Sequence, residues 1–264
     1  MLVSLQNEQV KQVVNLRRRK GREEVRQFLV EGRRFVEEAL NQEARVLRVF
    51  KCPKREQPEW KPLLGKLKKK QIPIIEIDER ILYKISSTVE PQGVLAVVQQ
   101  PSFTWADFRI DSRTVLLIID GVQDPGNLGT ILRTALAAGV NQVCLSKGTV
   151  DVYNNKVLRS TMGAIFSLKI LSDLSAGEIV DYCSSRALKL ITADLQGEVI
   201  YGTEMLKPPL ALVVGNEANG LSPLFRDLAQ QHLKIPMDNN IESLNVAMAT
   251  GILLYEIVRQ RDFS

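Results

Sequence analysis

Histidine occurs once in the 264 residues, at His232, and cysteine three times, at Cys52, Cys144 and Cys183. A single histidine excludes a His-rich metal site. It also leaves any Ser-His-Asp triad or imidazole acid–base scheme resting on one side chain. His232 falls in QHLKIPM, which reads as a strand, and an ordinary structural histidine is the simpler account. The cysteines are odd in number, widely spaced and form no CxxC pair, so they support neither a disulfide framework nor a zinc site. Cys144, inside the apolar run QVCLS, reads as core filler. No stretch of about 18 apolar residues occurs, so no membrane helix is expected. The opening MLVSLQNEQV does not carry the apolar run of a secretory signal, and the expectation is a cytoplasmic globular protein.

Hydrophobic residues make up 45% of the chain, enough for sizeable cores, and the length suits two domains. The net charge of +5 is mild, but its distribution is uneven. Arg17, Arg18, Arg19, Lys20 and Arg22 form one cluster and Lys66, Lys68, Lys69 and Lys70 another, both before residue 71. A solvated helix face explains such runs, while two clusters in one segment also suit phosphate binding.

The first hundred residues alternate short helical and strand patterns. NEQVKQVVNLRRRKGREEVRQ reads as one basic helix, RVLRVFKC, IPIIEID and GVLAVVQQ as strands, and DERILYKISS as a helix opened by an Asp cap. PSFTWADFRIDSR breaks the pattern. The predicted organisation is a small α/β domain over residues 1–100, a linker over 101–113 and a second domain over 114–264. In that second domain TVLLIID, NQVCLSK, SLKILSD, KLITADL, LALVVGNE and HLKIPM read as strands. NLGTILRTALAAG, YNNKVLRSTMGAI, SPLFRDLAQQ and the terminal SLNVAMATGILLYEIVRQRD read as helices. Apolar strands alternating with helices imply an α/β fold with a largely parallel sheet covered on both faces.

Ligands in such folds gather at the carboxyl ends of strands, and three of these ends carry unusual clusters. In IIDGVQDPGNLGTILRTA, a strand ends at Asp120, and Asn127, Gly129 and Arg133 follow on a helix. Arg133 sits among Leu128, Ile131, Leu132 and Leu136. It is either paired with a carboxylate such as Asp120 or Asp124, or it serves an anionic ligand. In LALVVGNEANGLS, Gly215 and Gly220 flank a polar turn that permits positive φ and close backbone approach. In LKIPMDNNIESLNVAMATGILL, Ser243 suits a helix N-cap, Asn245 falls in the first turn, and Ala247, Ala249 and Gly251 allow close helix packing.

Taken in order, N-x-G-x-x-x-R (Asn127, Gly129, Arg133), G-N-E-x-x-G-L-S (Gly215, Asn216, Glu217, Gly220, Leu221, Ser222) and I-P-M…S-L-N-V-A (Ile235, Pro236, Met237, Ser243 to Ala247) resemble the SpoU/TrmH family of SPOUT RNA 2′-O-ribose methyltransferases. FLVEGRRFVEEAL and STVEPQGVLAVV are similar to the family's N-terminal RNA-binding, ribosomal-protein-like domain. The resemblance implies a trefoil-knotted SPOUT domain, a homodimer through the C-terminal domain and S-adenosylmethionine as cofactor; no metal is expected, because the sequence holds no ligand cluster. The same resemblance places the cofactor against Leu212, Gly215, Asn216, Ile235, Met237 and Leu244, and the chemistry at Arg133 with Asn127, Glu217, Ser243 and Asn245. Arg17, Arg18, Arg19, Lys20, Arg22 and Arg33 become candidate RNA contacts.

A guanidinium stays protonated in proteins, so Arg133 is expected to act electrostatically on the RNA phosphate and the developing alkoxide, not as a base. Ribosomal RNA is the expected substrate. The alternatives are ribose methylation of tRNA, methylation of a base nitrogen by a related enzyme, and a catalytically silent RNA-binding relative. A dehydrogenase is disfavoured because no GxGxxG fingerprint is present.

Overall fold

The computed structural model describes residues 2, 4–199, 206–216, 220–238 and 243–262, the side chains of 196 and 199 excepted. They divide into two units, Met1–Ser102 with Tyr153–Phe166, and Phe103–Val152 with Ser167–Ser264.

In the first unit the elements run α1 (Glu8–Asn15), α2 (Arg19–Val25), β1 (Gln27–Glu31), α3 (Arg33–Asn41), β2 (Val46–Lys51), α4 (Lys61–Lys69), β3 (Ile74–Glu76), α5 (Glu79–Ile85) and β4 (Val94–Gln99). The strands order as β1-β4-β2-β3, with β4 antiparallel to both neighbours and β2 parallel to β3. The predicted single basic helix is therefore two. Its break brings Gly21 so close to the end of α1 that a Cβ there would lie 2.3 Å from the Asn15 carbonyl oxygen.

Arg22 lies at this corner. It is buried, and its Nη1 donates to the Leu16 carbonyl at 2.9 Å. Its charge is thus spent on an orphan helix-end carbonyl, which corrects its expected role as a phosphate contact. Arg17, Arg18 and Lys20 are exposed, Arg19 pairs with Glu23 at 2.6 Å, and half-buried Arg33 pairs with Glu37 at 2.7 Å.

The two stretches that resemble the family's N-terminal domain meet in this unit. Phe28 pairs with Val98 and Val30 with Ala96 across β1 and β4. The Glu31 carboxylate accepts hydrogen bonds from the hydroxyls of Ser86, Ser87 and Thr88 and from the Ser87 amide.

The helix α7 (Asn155–Thr161) packs here and not with its sequence neighbours. Its flanking aromatics explain this. Phe28 lies 4.7 Å from the Tyr153 ring, Phe35 lies 5.4 Å from Phe166, and Arg159 donates to Ser87 Oγ at 3.0 Å. The unbroken second domain expected over 114–264 is thus interrupted by residues 153–166. The expected linker also differs from a free tether. Phe103, Trp105, Phe108 and Ile110 pack against the second unit's core, and Trp105 stacks on Tyr182 at 4.2 Å.

The second unit contains β5 (Val115–Ile119), α6 (Pro125–Ala137), β6 (Gln142–Ser146), β7 (Lys169–Leu174), α8 (Ala176–Ser185), β8 (Lys189–Val199), β9 (Leu210–Val214), α9 (Pro223–Leu228), β10 (Gln231–Lys234) and α10 (Val246–Asp262). Its six strands order as β10-β8-β9-β5-β6-β7, and every pair is parallel. β5, β6 and β9 are buried along their whole length, as their apolar sequences require. Burial pushes the Cys183 thiol up to about 12 and Cys144 well above its usual range, so neither is a nucleophile at neutral pH. Among the described residues no helix is long and apolar enough to cross a membrane.

Candidate active site

β5 ends at Ile119 and Asp120 follows it; Asp124 then caps α6 by accepting from the Asn127 amide at 2.8 Å, with Pro125 in the first turn. α6 buries Leu128, Ile131, Leu132 and Ala135. Thr130, Arg133 and Ala137 form its exposed ridge. Asp120 does not pair with Arg133. Its carboxylate is 7% exposed and accepts from Ser146 Oγ and from the Ser222 amide, each at 2.6 Å. Arg133 is exposed and forms no hydrogen bond or ion pair among the described residues. Of the two readings of Arg133, the one with a structural carboxylate partner is therefore removed.

β9 ends at Val214, and from Gly215 the chain turns back on itself. The Asn216 amide donates to the Gly220 carbonyl at 3.1 Å and the Gly220 amide returns a bond at 2.9 Å. Gly220 holds a φ of +65°. A Cβ at Gly215 would stand 2.8 Å from the Gly220 carbonyl oxygen, so only glycine allows this approach. Asn216 Nδ2 donates to the Gly121 carbonyl at 2.7 Å, joining the second cluster to the first. Glu217 lies outside the described residues.

The third cluster departs from expectation at the start of α10. The helix begins at Val246, and Asn245 is its cap, with Oδ1 accepting from the amides of Ala247 (2.9 Å) and Met248 (3.3 Å). Ser243, the expected cap, stands free of the helix. The other half of the Asn245 amide, Nδ2, donates to Asn127 Oδ1 at 2.9 Å. One side chain thus starts the terminal helix and ties it to α6.

Beside these ties lies a cavity of about 470 Å³. Gly215, Asn216, Ile235, Met237, Ser243 and Leu244 line it, together with the apolar Val214, Leu221, Leu233, Val246 and Leu253. Leu212, expected to touch a cofactor, is not in the lining. It is buried within β9 between Leu117 and Ile191 of the neighbouring strands.

Three charged side chains that the sequence does not single out also line it: Asp194, Arg226 and Lys234. Asp194 lies where β10 changes register on β8, which pairs His232 with Thr192 but Leu233 with Glu198. Ala193, Asp194 and Leu195, in the skipped stretch, form part of the wall, and Arg226 Nε stands 3.7 Å from Asp194 Oδ2. A polar residue at the carboxyl end of KLITADL was the available signal for Asp194. His232 has a structural role, with Nδ1 2.8 Å from Thr192 Oγ1.

The arrangement sets a concave, mostly apolar chamber beside a cluster of amide side chains, while Arg133, on the exposed ridge of α6, is not among the residues that line it. Asn245→Ala is expected to lower stability by about 1–2 kcal/mol, since it removes the cap. Asn245→Asp keeps a capping oxygen and should retain most of that stability while losing the bond to Asn127. Urea denaturation of both variants checks this, and equal losses would contradict the double role.

Residues 114–255 match the SpoU rRNA Methylase family, and residues 7–96 match the MRM3-like substrate binding domain. The chain is 33% identical to the 23S rRNA (guanosine(2553)-2'-O)-methyltransferase RlmP of Bacillus subtilis, over 96% of this chain and 97% of that protein. It is 31% identical to the 23S rRNA (uridine(2479)-2'-O)-methyltransferase of Streptomyces viridochromogenes, over 89% of this chain and 83% of that protein. Among solved structures, an AdoMet-bound rRNA methyltransferase from Sinorhizobium meliloti aligns with a TM-score of 0.87 at 29% identity, covering 100% of this chain and 98% of that one. With one family matching more than half its length and such relatives along nearly all of it, this chain belongs to the SpoU rRNA methylase family.

Proposed function

We propose that this protein transfers a methyl group from S-adenosylmethionine to a ribose 2′-hydroxyl of ribosomal RNA. The observation that carries the reading is the convergence of the three clusters: Asn245 bonded to Asn127 and Asn216 bonded to Gly121, beside a chamber lined by the second and third clusters. The residues present fit the cofactor. The chamber's size falls in the range of small-molecule sites, roughly 300–1,000 Å³. Its leucine, isoleucine and valine walls suit an adenine ring, and Gly215 and Gly220 bring main chain to its wall. When bound, the cofactor supplies an electrophilic methyl group on a sulfonium. The ribosomal substrate, in preference to tRNA, is supported by the substrate-binding domain over residues 7–96 and by the names of the relatives.

The chain's own contribution is placement and charge. Leu244, Ile235, Met237 and Gly215 hold the cofactor end of the reaction, while Ser243, Asn127 and Asn245 shape its polar side. Arg133, permanently charged and exposed, is suited to grip the RNA phosphate next to the target ribose with two parallel hydrogen bonds and to favour the developing alkoxide. Glu217 is retained as a member of the site on the strength of the motif.

The second unit is proposed to pair with a copy of itself. Met248 and Tyr255, seven residues apart on α10, are 62% and 53% exposed, and that spacing puts them on one helix face. A knotted path for the C-terminal segment is consistent with family membership. Action in the cytoplasm accords with three cysteines that remain unpaired.

Arg133→Ala should leave folding and S-adenosylmethionine affinity unchanged, because the side chain is exposed, while methylation falls by about 10²–10³-fold. Lysine should not restore it, since it cannot make the bidentate contact. Full activity in the alanine variant would sink the role, and ribose-methylation mapping of cellular rRNA without the gene tests the substrate. Joint replacement of Arg17, Arg18 and Lys20 by alanine should weaken RNA binding and reduce the salt slope by about 0.7–0.9 per lost phosphate contact; an unchanged slope would remove them from the interface. Tyr255→Asp should shift light-scattering mass from dimer to monomer, and a monomeric parent protein would refute the pairing.

A further inference from the structure

We infer that Asp120 is a positioning residue that clamps the turn lining the cofactor chamber to the ends of β5 and β6. The inference rests on the proposed function, because it assigns that chamber to S-adenosylmethionine.

Asp120 is a buried carboxylate that forms no ion pair among the described residues. Burying such a charge is costly unless it is fully hydrogen-bonded. Its two oxygens are divided between two separate segments. Oδ1 accepts from Ser146 Oγ at the end of β6, and Oδ2 accepts from the amide of Ser222, directly after the chamber-lining Leu221. The neighbouring peptide extends the clamp. The Gly121 amide donates to Ser146 Oγ and Thr149 Oγ1, each at 3.1 Å, and the Gly121 carbonyl accepts from Asn216 Nδ2 at 2.7 Å.

The lining turn is therefore held at both of its ends, at Asn216 by Gly121 and at Ser222 by Asp120. Gly121 reaches this position with φ +67°. Nothing in the fold requires a charge at this place. Asp120 N already pairs with the Val214 carbonyl as a sheet bond, independent of the side chain. The carboxylate's distinct property is that it accepts on both sides at once, from a hydroxyl and from a peptide N–H. An asparagine can do this in part: its Oδ1 takes the Ser222 amide, and its Nδ2 donates to Ser146 Oγ. An alanine can do neither.

The test is titration calorimetry with S-adenosylmethionine on the full chain, with steady-state methylation of RNA in parallel. Asp120→Ala should raise the S-adenosylmethionine Kd and KM at least tenfold while kcat at saturating cofactor stays within about threefold of the parent. Asp120→Asn should recover most of the affinity. Amide hydrogen exchange supplies a readout that does not depend on the cofactor. The Ser222 amide should exchange at least tenfold faster in Asp120→Ala, with the amides of β9 unchanged. If Asp120→Ala does not fold, Ser146→Ala, which removes the opposite donor, should raise the Kd severalfold and takes its place. A parent protein that binds no S-adenosylmethionine overturns the proposed function and this inference with it. A parent that binds, with folded variants of unaltered Kd and unaltered Ser222 exchange, overturns the clamp alone. A fall in kcat with KM unchanged would also overturn it, since it would place Asp120 in the chemistry.

Discussion

The site depends on a short polar side chain placed where two helices meet. Asn245 is bifunctional: its oxygen takes the free amides that open α10, and its nitrogen reaches Asn127 in the first turn of α6. A helix start needs an acceptor in any case. Among the good caps asparagine carries two N–H donors on an atom separate from its capping oxygen, so a second bond does not compete with the cap. Capping and assembly of the site are therefore the same interaction. The small residues that follow, Ala247 and Gly251, let α10 lie close to α6, where Gly251 faces the Thr134 methyl. A bulkier face there would pull the two asparagines apart.

The centre of the second unit is legible because its inner strands are largely apolar and fully buried and its loops are not. β5, β6 and β9 announce themselves by composition, and the glycines at 121, 139 and 220 all adopt the positive φ expected of turn and helix-end residues. What escaped has specific causes. α8 does not stand out by periodicity; its signal is the reciprocal capping box of Ser175 and Glu178 at its start, four residues inside an otherwise weakly patterned stretch. Ser243 was mistaken for the cap of α10 because serine and asparagine compete for that role and only three-dimensional context decides. The register change between β8 and β10, which brings Asp194 to the chamber, is a property of pairing and leaves no trace in either strand alone.

The basic clusters show the opposite error, in which composition said too much. Arg22 belongs to the run by sequence but to the interior by structure, and Arg19 and Arg33 are held by carboxylates one helical turn away. A count of positive charges therefore overstates what this surface offers to a polyanion. The site itself follows a different economy of charge. Asp120 is enclosed, while Arg133 is exposed on α6 and has no partner among the described residues. A cation left open on a rigid helix keeps its full field for whatever anion arrives.

The aromatic patch around Phe28 has a bearing on how the protein is made. Phe28 and Phe35 emerge from the ribosome well before Tyr153 and Phe166, the rings that cover them. At about 5–20 residues per second, several seconds separate the two events. The first unit must wait with an oily face open while much of the second is still being translated. Its sheet can pair early, but its final closure is timed by the synthesis of the other half of the molecule.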